Sequence, residues 1–341
     1  MQYEDSPGKF ARRANDSSLR GGEADEAISR LLRYARNDEL QQEKQQGSKL
    51  LPLNDVIHLA VTGIAQGCAY GLIALGFVLI YKATEVVNFA HGEFMMLGAF
   101  AVLAFSEALG WGFWPAFVLG CLSIAVVGYL VDAQIMRRII GESQASVFIL
   151  TVAFGFIFRA LAGMIFGWNT RSLDTPFDGK LAVGSLVEIS YDRLSIIVAT
   201  IILVAAIYLF FSRTRFGVAM QAASQNQLAA YYMGIPVKRL VSMTWAIGAF
   251  IAAAAGALLA PVTQIDTTIG LLGIKALAGA IVGGFGSIPG ALLGCILIGV
   301  IEPFADYYLP GIKGVSAYVV MLVVLFVRPE GLIVQTYQKK V

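Results

Sequence analysis

"GLLGIKALAGAIVGGFGSIPGALLGCILIGVI", Gly270–Ile301, contains a single charged side chain, Lys275. A membrane-spanning helix needs about 20 mostly apolar residues, so this stretch is too long for one simple helix. A cluster of helix breakers, Gly283–Gly284–Phe285–Gly286–Ser287–Ile288–Pro289–Gly290, falls inside it and divides it into two shorter helices. Small residues recur every three or four positions, a spacing that lets backbones approach closely. Working outward, further apolar runs occupy Val56–Ile80, Phe89–Leu109, Phe113–Val131, Ala145–Trp168, Leu194–Phe211, Leu240–Ala260 and Val315–Val327. The run at Phe89 is interrupted early by His91, Gly92 and Glu93. The reading is an all-α, polytopic membrane protein with about eight transmembrane regions, two of them broken or re-entrant.

Composition agrees. The 341 residues are 57% hydrophobic and 14% charged, whereas soluble domains are about 45–50% apolar and about 25% charged. The deficit of charge makes lipid the solvent. A net charge of +2 points to no nucleic-acid partner. Charge is also unevenly placed: residues 1–50 hold 9 Lys/Arg and 9 Asp/Glu of the totals of 25 and 23. A polar N-terminal extension, 1–50, is therefore expected before a transmembrane domain, 51–341. Its stretch Glu23–Gln46 has helical composition with polar residues on most faces, as a solvated or disordered tail would. The first 25 residues hold no apolar core of a cleavable signal, so the membrane segments are expected to direct insertion. Cys68, Cys121 and Cys295 lie inside apolar runs without paired spacing and read as small packing residues.

Positive charge in short loops stays cytoplasmic. Loop 212–239 holds Arg213, Arg215, Lys238 and Arg239 with no acid, and the turn after the third span holds Arg137 and Arg138. Both are placed in the cytoplasm with the C-terminus. Loop 169–193 mixes signs and is placed outside, with Trp111 and Trp114 at an outer turn as an aromatic belt. The residues before Val56 then fall outside.

Three stretches can carry function. In "VVNFAHGEFMMLGAF", Val86–Phe100, the residues Asn88, His91 and Glu93 are polar and Gly92 weakens the helix by about 1 kcal/mol against Ala. Polar groups at membrane depth are costly and face cavities or one another, and transport pathways are built from such breaks. The other reading, an interfacial loop capping the next helix, stands beside it. The second stretch is the breaker cluster, with Gly283, Gly284, Gly286 and Ser287 as pathway candidates, because interrupted segments in corresponding halves point to a transport route. No GK[ST] follows it, so phosphate binding is not indicated. The third is "GVAMQAASQNQLAAYYMGI", Gly217–Ile235, where Val218–Met233 reads as a short extramembrane helix ended by Gly234 and Pro236. It is suited to docking, or lies idle on the membrane surface. Arg159, Lys275 and Glu302 are isolated intramembrane charges that snorkel or pair internally. No catalytic group, cofactor or metal site is indicated, since His58 and His91 lack further ligands.

The strings "NFAHGEFMMLGAF", "AASQNQLAAYYMGI" and "GGFGSIPGALLG", in that order, closely resemble the LivH-type branched-chain amino acid permease family over roughly Asp55–Ile333. The resemblance implies a permease subunit of an ATP-driven (ABC) importer in the bacterial inner membrane. It implies cytoplasmic ATP-binding subunits, a second, paired permease subunit and an external substrate-binding protein. The chain carries no GxxxxGK[ST] of its own, so it is expected to be no enzyme and to borrow ATP hydrolysis. The loop helix corresponds to a coupling helix, with Gln221, Ala222, Ala223, Gln225, Ala229, Ala230 and Gly234 as its residues. Urea or short-amide transport by the same architecture, or an ion-coupled transporter or channel, are the competing expectations. The extension 1–50 departs from the family's usual start.

Overall fold

The computed structural model describes residues 53–139, 143–177, 179–183 and 187–333. The chain divides into two units, residues 1–53 and 54–341. The polar extension expected over 1–50 lies outside the described residues, as does the C-terminal tail beyond Ile333.

The order is α1 (Leu53–Thr84), α2 (His91–Leu109), α3 (Phe113–Gln134), α4 (Gln144–Phe166), a hairpin of β1 (Lys180–Val183) and β2 (Val187–Ser190), and α5 (Tyr191–Arg213). Then follow α6 (Arg215–Gln225), α7 (Gln227–Tyr232), α8 (Val237–Thr263), α9 (Leu272–Gly283), α10 (Ile288–Tyr308) and α11 (Lys313–Val327). Among the described residues, seven helices are long and apolar enough to cross a membrane, and two apolar segments, Ile269–Gly283 and Lys313–Val327, are shorter. At 1.5 Å per residue these shorter ones reach about 22 Å against a hydrocarbon core of about 30 Å. The antiparallel hairpin, paired Lys180 to Ser190, is a small exception to the helical chain.

α1 is the central post. Every residue from Gly67 to Ile80 is buried, as expected of a helix that is apolar all round. Glycine sets how close its neighbours come: a Cβ at Gly63 or Gly67 would strike the backbone of α10 at Gly299–Val300 or Cys295–Ile296. The same device joins α2 to α8, where Gly98 faces Ala253 and Gly256 faces the Met95 carbonyl, and α3 to α8, where Gly128 faces Ala249. Without a hydrophobic drive between helices in lipid, close van der Waals packing of this kind holds them together. α4, α5 and α11 are peripheral and turn large apolar side chains outward, up to 93% exposure at Phe326.

The two basic loops meet at one end. Arg137 Nη2 donates to the Lys238 carbonyl at 3.0 Å. At the opposite end Arg171 pairs through its backbone with Ile265 and lies 3.6 Å from Glu107, while Arg193 donates to Thr62 at 2.7 Å. Trp111 and Trp114 are exposed at that acidic–basic mixed end.

Candidate translocation site

The first interruption follows α1. Thr84 Oγ1 folds back onto the Ile80 carbonyl at 2.8 Å, Glu85 takes a left-handed φ of 56°, and Asn88 Oδ1 accepts the Ala90 N–H at 3.0 Å. The chain thereby turns back and starts α2 at His91. A Cβ on Gly76 would strike the His91 ring, so α2 starts level with a point eight residues, or about 12 Å, short of the end of α1. Helix α2 therefore runs unbroken from His91 to Leu109. His91, Gly92 and Glu93 form its first turn, and the break is the segment 85–90 before it. His91 is fully buried with its ring 4.6 Å from that of Phe77.

The second interruption follows α8. Gln264 has φ 61°, Ile265 exchanges backbone hydrogen bonds with Arg171 at 2.8 Å each, and Asp266 Oδ1 accepts the Thr268 N–H at 2.7 Å. A 3-10 turn, Ile269–Leu271, then feeds the short α9.

These two interruptions meet. A Cβ on Gly92 would strike the Gly270 carbonyl and crowd Gly273, and one on Gly273 would strike the Gly92 backbone. The starts of α2 and α9 touch main chain to main chain because glycine stands on both sides. A Cβ on Gly270 would strike the Glu93 carboxylate. Glu93 is ion-paired with Arg159 of α4. Among the described residues, Glu93 Oε2 and Arg159 Nε have no hydrogen-bond partner. Beside the pair lies a cavity of about 220 Å³ whose remaining wall is apolar, with Phe77, Phe89, Phe156, Ile274 and Leu277. The arrangement offers an anion, a cation and an apolar surface where two helices begin inside the molecule.

The matching family is described as branched-chain amino acid transport system, permease component, over residues 59–327. The high-affinity branched-chain amino acid permease BraD of Pseudomonas aeruginosa is 31% identical over 82% of this chain and 96% of its own. LivH of Escherichia coli K12, described in the same terms, is 29% identical over 82% of this chain and 96% of its own.

The chain belongs to this permease family. It is a multi-pass membrane protein, and its relatives are transport permease subunits.

Within this permease, Asn88, His91, Gly92 and Glu93 gather at the junction, and Gly92 and Glu93 line the cavity. Gly283, Gly284, Gly286 and Ser287 lie elsewhere, at the corner between α9 and α10. Ser287 Oγ accepts the Gly290 N–H at 3.2 Å as the cap of α10. Gly284 has φ 106°, and the carbonyls of Val282 and Gly283 accept N–H groups of Leu332 and Ile333. The contact that joins the halves is made instead by Gly270 and Gly273. Arg159 completes the pair, although the sequence presented it as an isolated charge.

Lys275 of α9 is paired with Glu302 of α10, which is fully buried. Glu302 Oε2 also accepts from Tyr70 and Gln66 of α1, each at 3.0 Å. This network anchors the short helix to the central post.

The extramembrane helix expected over Val218–Met233 is two helices. Asn226 leaves the helical region and its Oδ1 accepts the Ala229 N–H at 2.9 Å, ending α6 and capping α7. Gly234 takes φ 82° and closes α7. Ala223 and Ala230 are buried against Leu240, while Gln221, Ala222, Gln225 and Ala229 are exposed.

Proposed function

We propose that this chain is the translocating subunit of an ATP-driven importer for branched-chain and related apolar amino acids in a bacterial inner membrane. One observation carries the reading: two interrupted elements abut through glycine backbones beside the incompletely satisfied Glu93–Arg159 pair. A zwitterion offers an ammonium for Glu93 and a carboxylate for Arg159, and the aliphatic side chain fits the phenylalanine-lined wall. Asn88 and His91 hold the turn that presents Glu93. Gly283, Gly284, Gly286 and Ser287 form the corner on which the short α9 shifts.

The basic end is cytoplasmic on this reading. There the exposed Gln221, Ala222, Gln225 and Ala229 seat against an ATP-binding subunit, while Ala223, Ala230 and Gly234 fix the shape of the α6–α7 corner. ATP binding favours one of two conformations of that assembly and so opens the route to one side or the other. A second permease subunit and an external binding protein complete the importer, and residues 51–341 form its transmembrane domain.

The test is uptake into proteoliposomes containing the chain and its copurifying subunits, with external binding protein and internal ATP. Labelled leucine should accumulate only with ATP. Accumulation without ATP, or of urea in place of leucine, would overturn the reading.

A further inference from the structure

At the basic end a second cavity, of about 540 Å³, opens between the ends of α1 and α3, the starts of α4 and α8 and the short α7. Its size lies in the roughly 300–1,000 Å³ range of small-molecule sites. Part of its wall is ionic. Asp132, only 1% exposed, accepts from Ser242 Oγ at 2.5 Å. Arg137 donates to the same hydroxyl at 2.5 Å and stands 4.0 Å from the Asp132 carboxylate. Glu85 and Lys238 also line the cavity, and Met136, Val147, Leu228 and Val241 give it an apolar surface.

Two residues of this lining each carry a buried N–H without an acceptor among the described residues: Arg137 Nε and Trp245 Nε1, the latter on a side chain 2% exposed. A buried unpaired donor costs about 1–3 kcal/mol, so two of them just behind one cavity wall favour a small side-chain shift that turns them onto an acceptor in the cavity. We propose that this cavity is a second amino-acid site, reached from the cytoplasm and separate from the Glu93 junction. Arg137 Nε and Trp245 Nε1 take the carboxylate, Asp132 and Glu85 face the ammonium, and the apolar surface takes the side chain. A bare anion would gain the cations and meet both carboxylates; a zwitterion satisfies the two signs together. The choice of a branched apolar amino acid rests on the transport reading above.

The experiment is equilibrium binding of labelled L-leucine to the chain with its copurifying subunits in nanodiscs, without external binding protein. Saturable binding is expected. Trp245→Phe, which keeps the ring body, and Arg137→Gln should each weaken it about tenfold while the complex elutes intact, as loss of a charge-assisted hydrogen bond implies. Leucinamide, lacking the carboxylate, should bind equally poorly to the unaltered complex. The proposal is overturned if no saturable binding occurs at millimolar leucine, or if glycerol phosphate displaces it more effectively than leucine does. Binding unmoved by both substitutions, or abolished by Glu93→Gln instead, also overturns it. A complex that binds leucine here yet imports none would leave this site standing and overturn the transport reading.

Discussion

Glu93 and Arg159 depend on each other: the glutamate side chain is 7% exposed and the arginine 23%. Removing one partner of a buried ion pair strands the other and costs about 3–5 kcal/mol, whereas removing both is far milder. Glu93→Ala and Arg159→Ala should therefore each lower the unfolding midpoint in detergent more than the double substitution does. Both singles should also cut leucine uptake by an order of magnitude. Equal destabilisation by all three variants would mean the pair is not a coupled unit. The junction also turns on Gly273. A valine there has no room against the Gly92 backbone, so Gly273→Val should reduce uptake to background even where the chain is still recovered in membranes. That glycine was visible in the sequence only as one of many small residues, because spacing along one chain does not reveal which backbone lies opposite.

The short helices answer to their end groups and anchors. α9 is too short to span, and its footing is the Lys275–Glu302–Tyr70–Gln66 network. Lys275→Met leaves Glu302 fully buried without its cation, and a loss of about 3–5 kcal/mol is expected, read as a lower midpoint in thermal unfolding. At the basic corner the two faces of α6 separate shape from docking. Ala223 is buried against Ala230 and Leu240, so a bulky residue there should disturb the corner itself. Ala222 is exposed, so Ala222→Trp should leave the unfolding midpoint unchanged and weaken copurification of an ATP-binding subunit. Were that copurification unaffected, the face carrying Ala222 would not be the seat. The split of this segment into α6 and α7 hangs on Asn226, a residue that competes with helix through its own side chain. Unbroken helix-forming composition on either side hid it.

For the whole molecule, the charge pattern of the loops and the packing agree on two ends. The basic loops meet through Arg137 and Lys238, and the mixed loop anchors at Ile265 and Thr62. Single cysteines at Gln225 and at Trp111 should thus label with an impermeant reagent from opposite sides of the membrane. Labelling of both from one side would dismantle the proposed orientation. Capture of the whole complex from membranes should bring an ATP-binding protein with it.

The amino-acid sequence by itself determined the lipid solvent, the apolar regions and the family, because composition, hydropathy and short motifs are local quantities read along a chain. It also marked Asn88, His91, Gly92 and Glu93 as unusual, since polar groups in an apolar run are conspicuous without knowing their neighbours. Only the tertiary structure decided that Glu93 faces Arg159, that Lys275 faces Glu302, and that Gly270 and Gly273, not the Gly283–Gly286 corner, meet the first half. Those are contacts between residues far apart along the chain, and they exist only once packing has chosen which helix faces which.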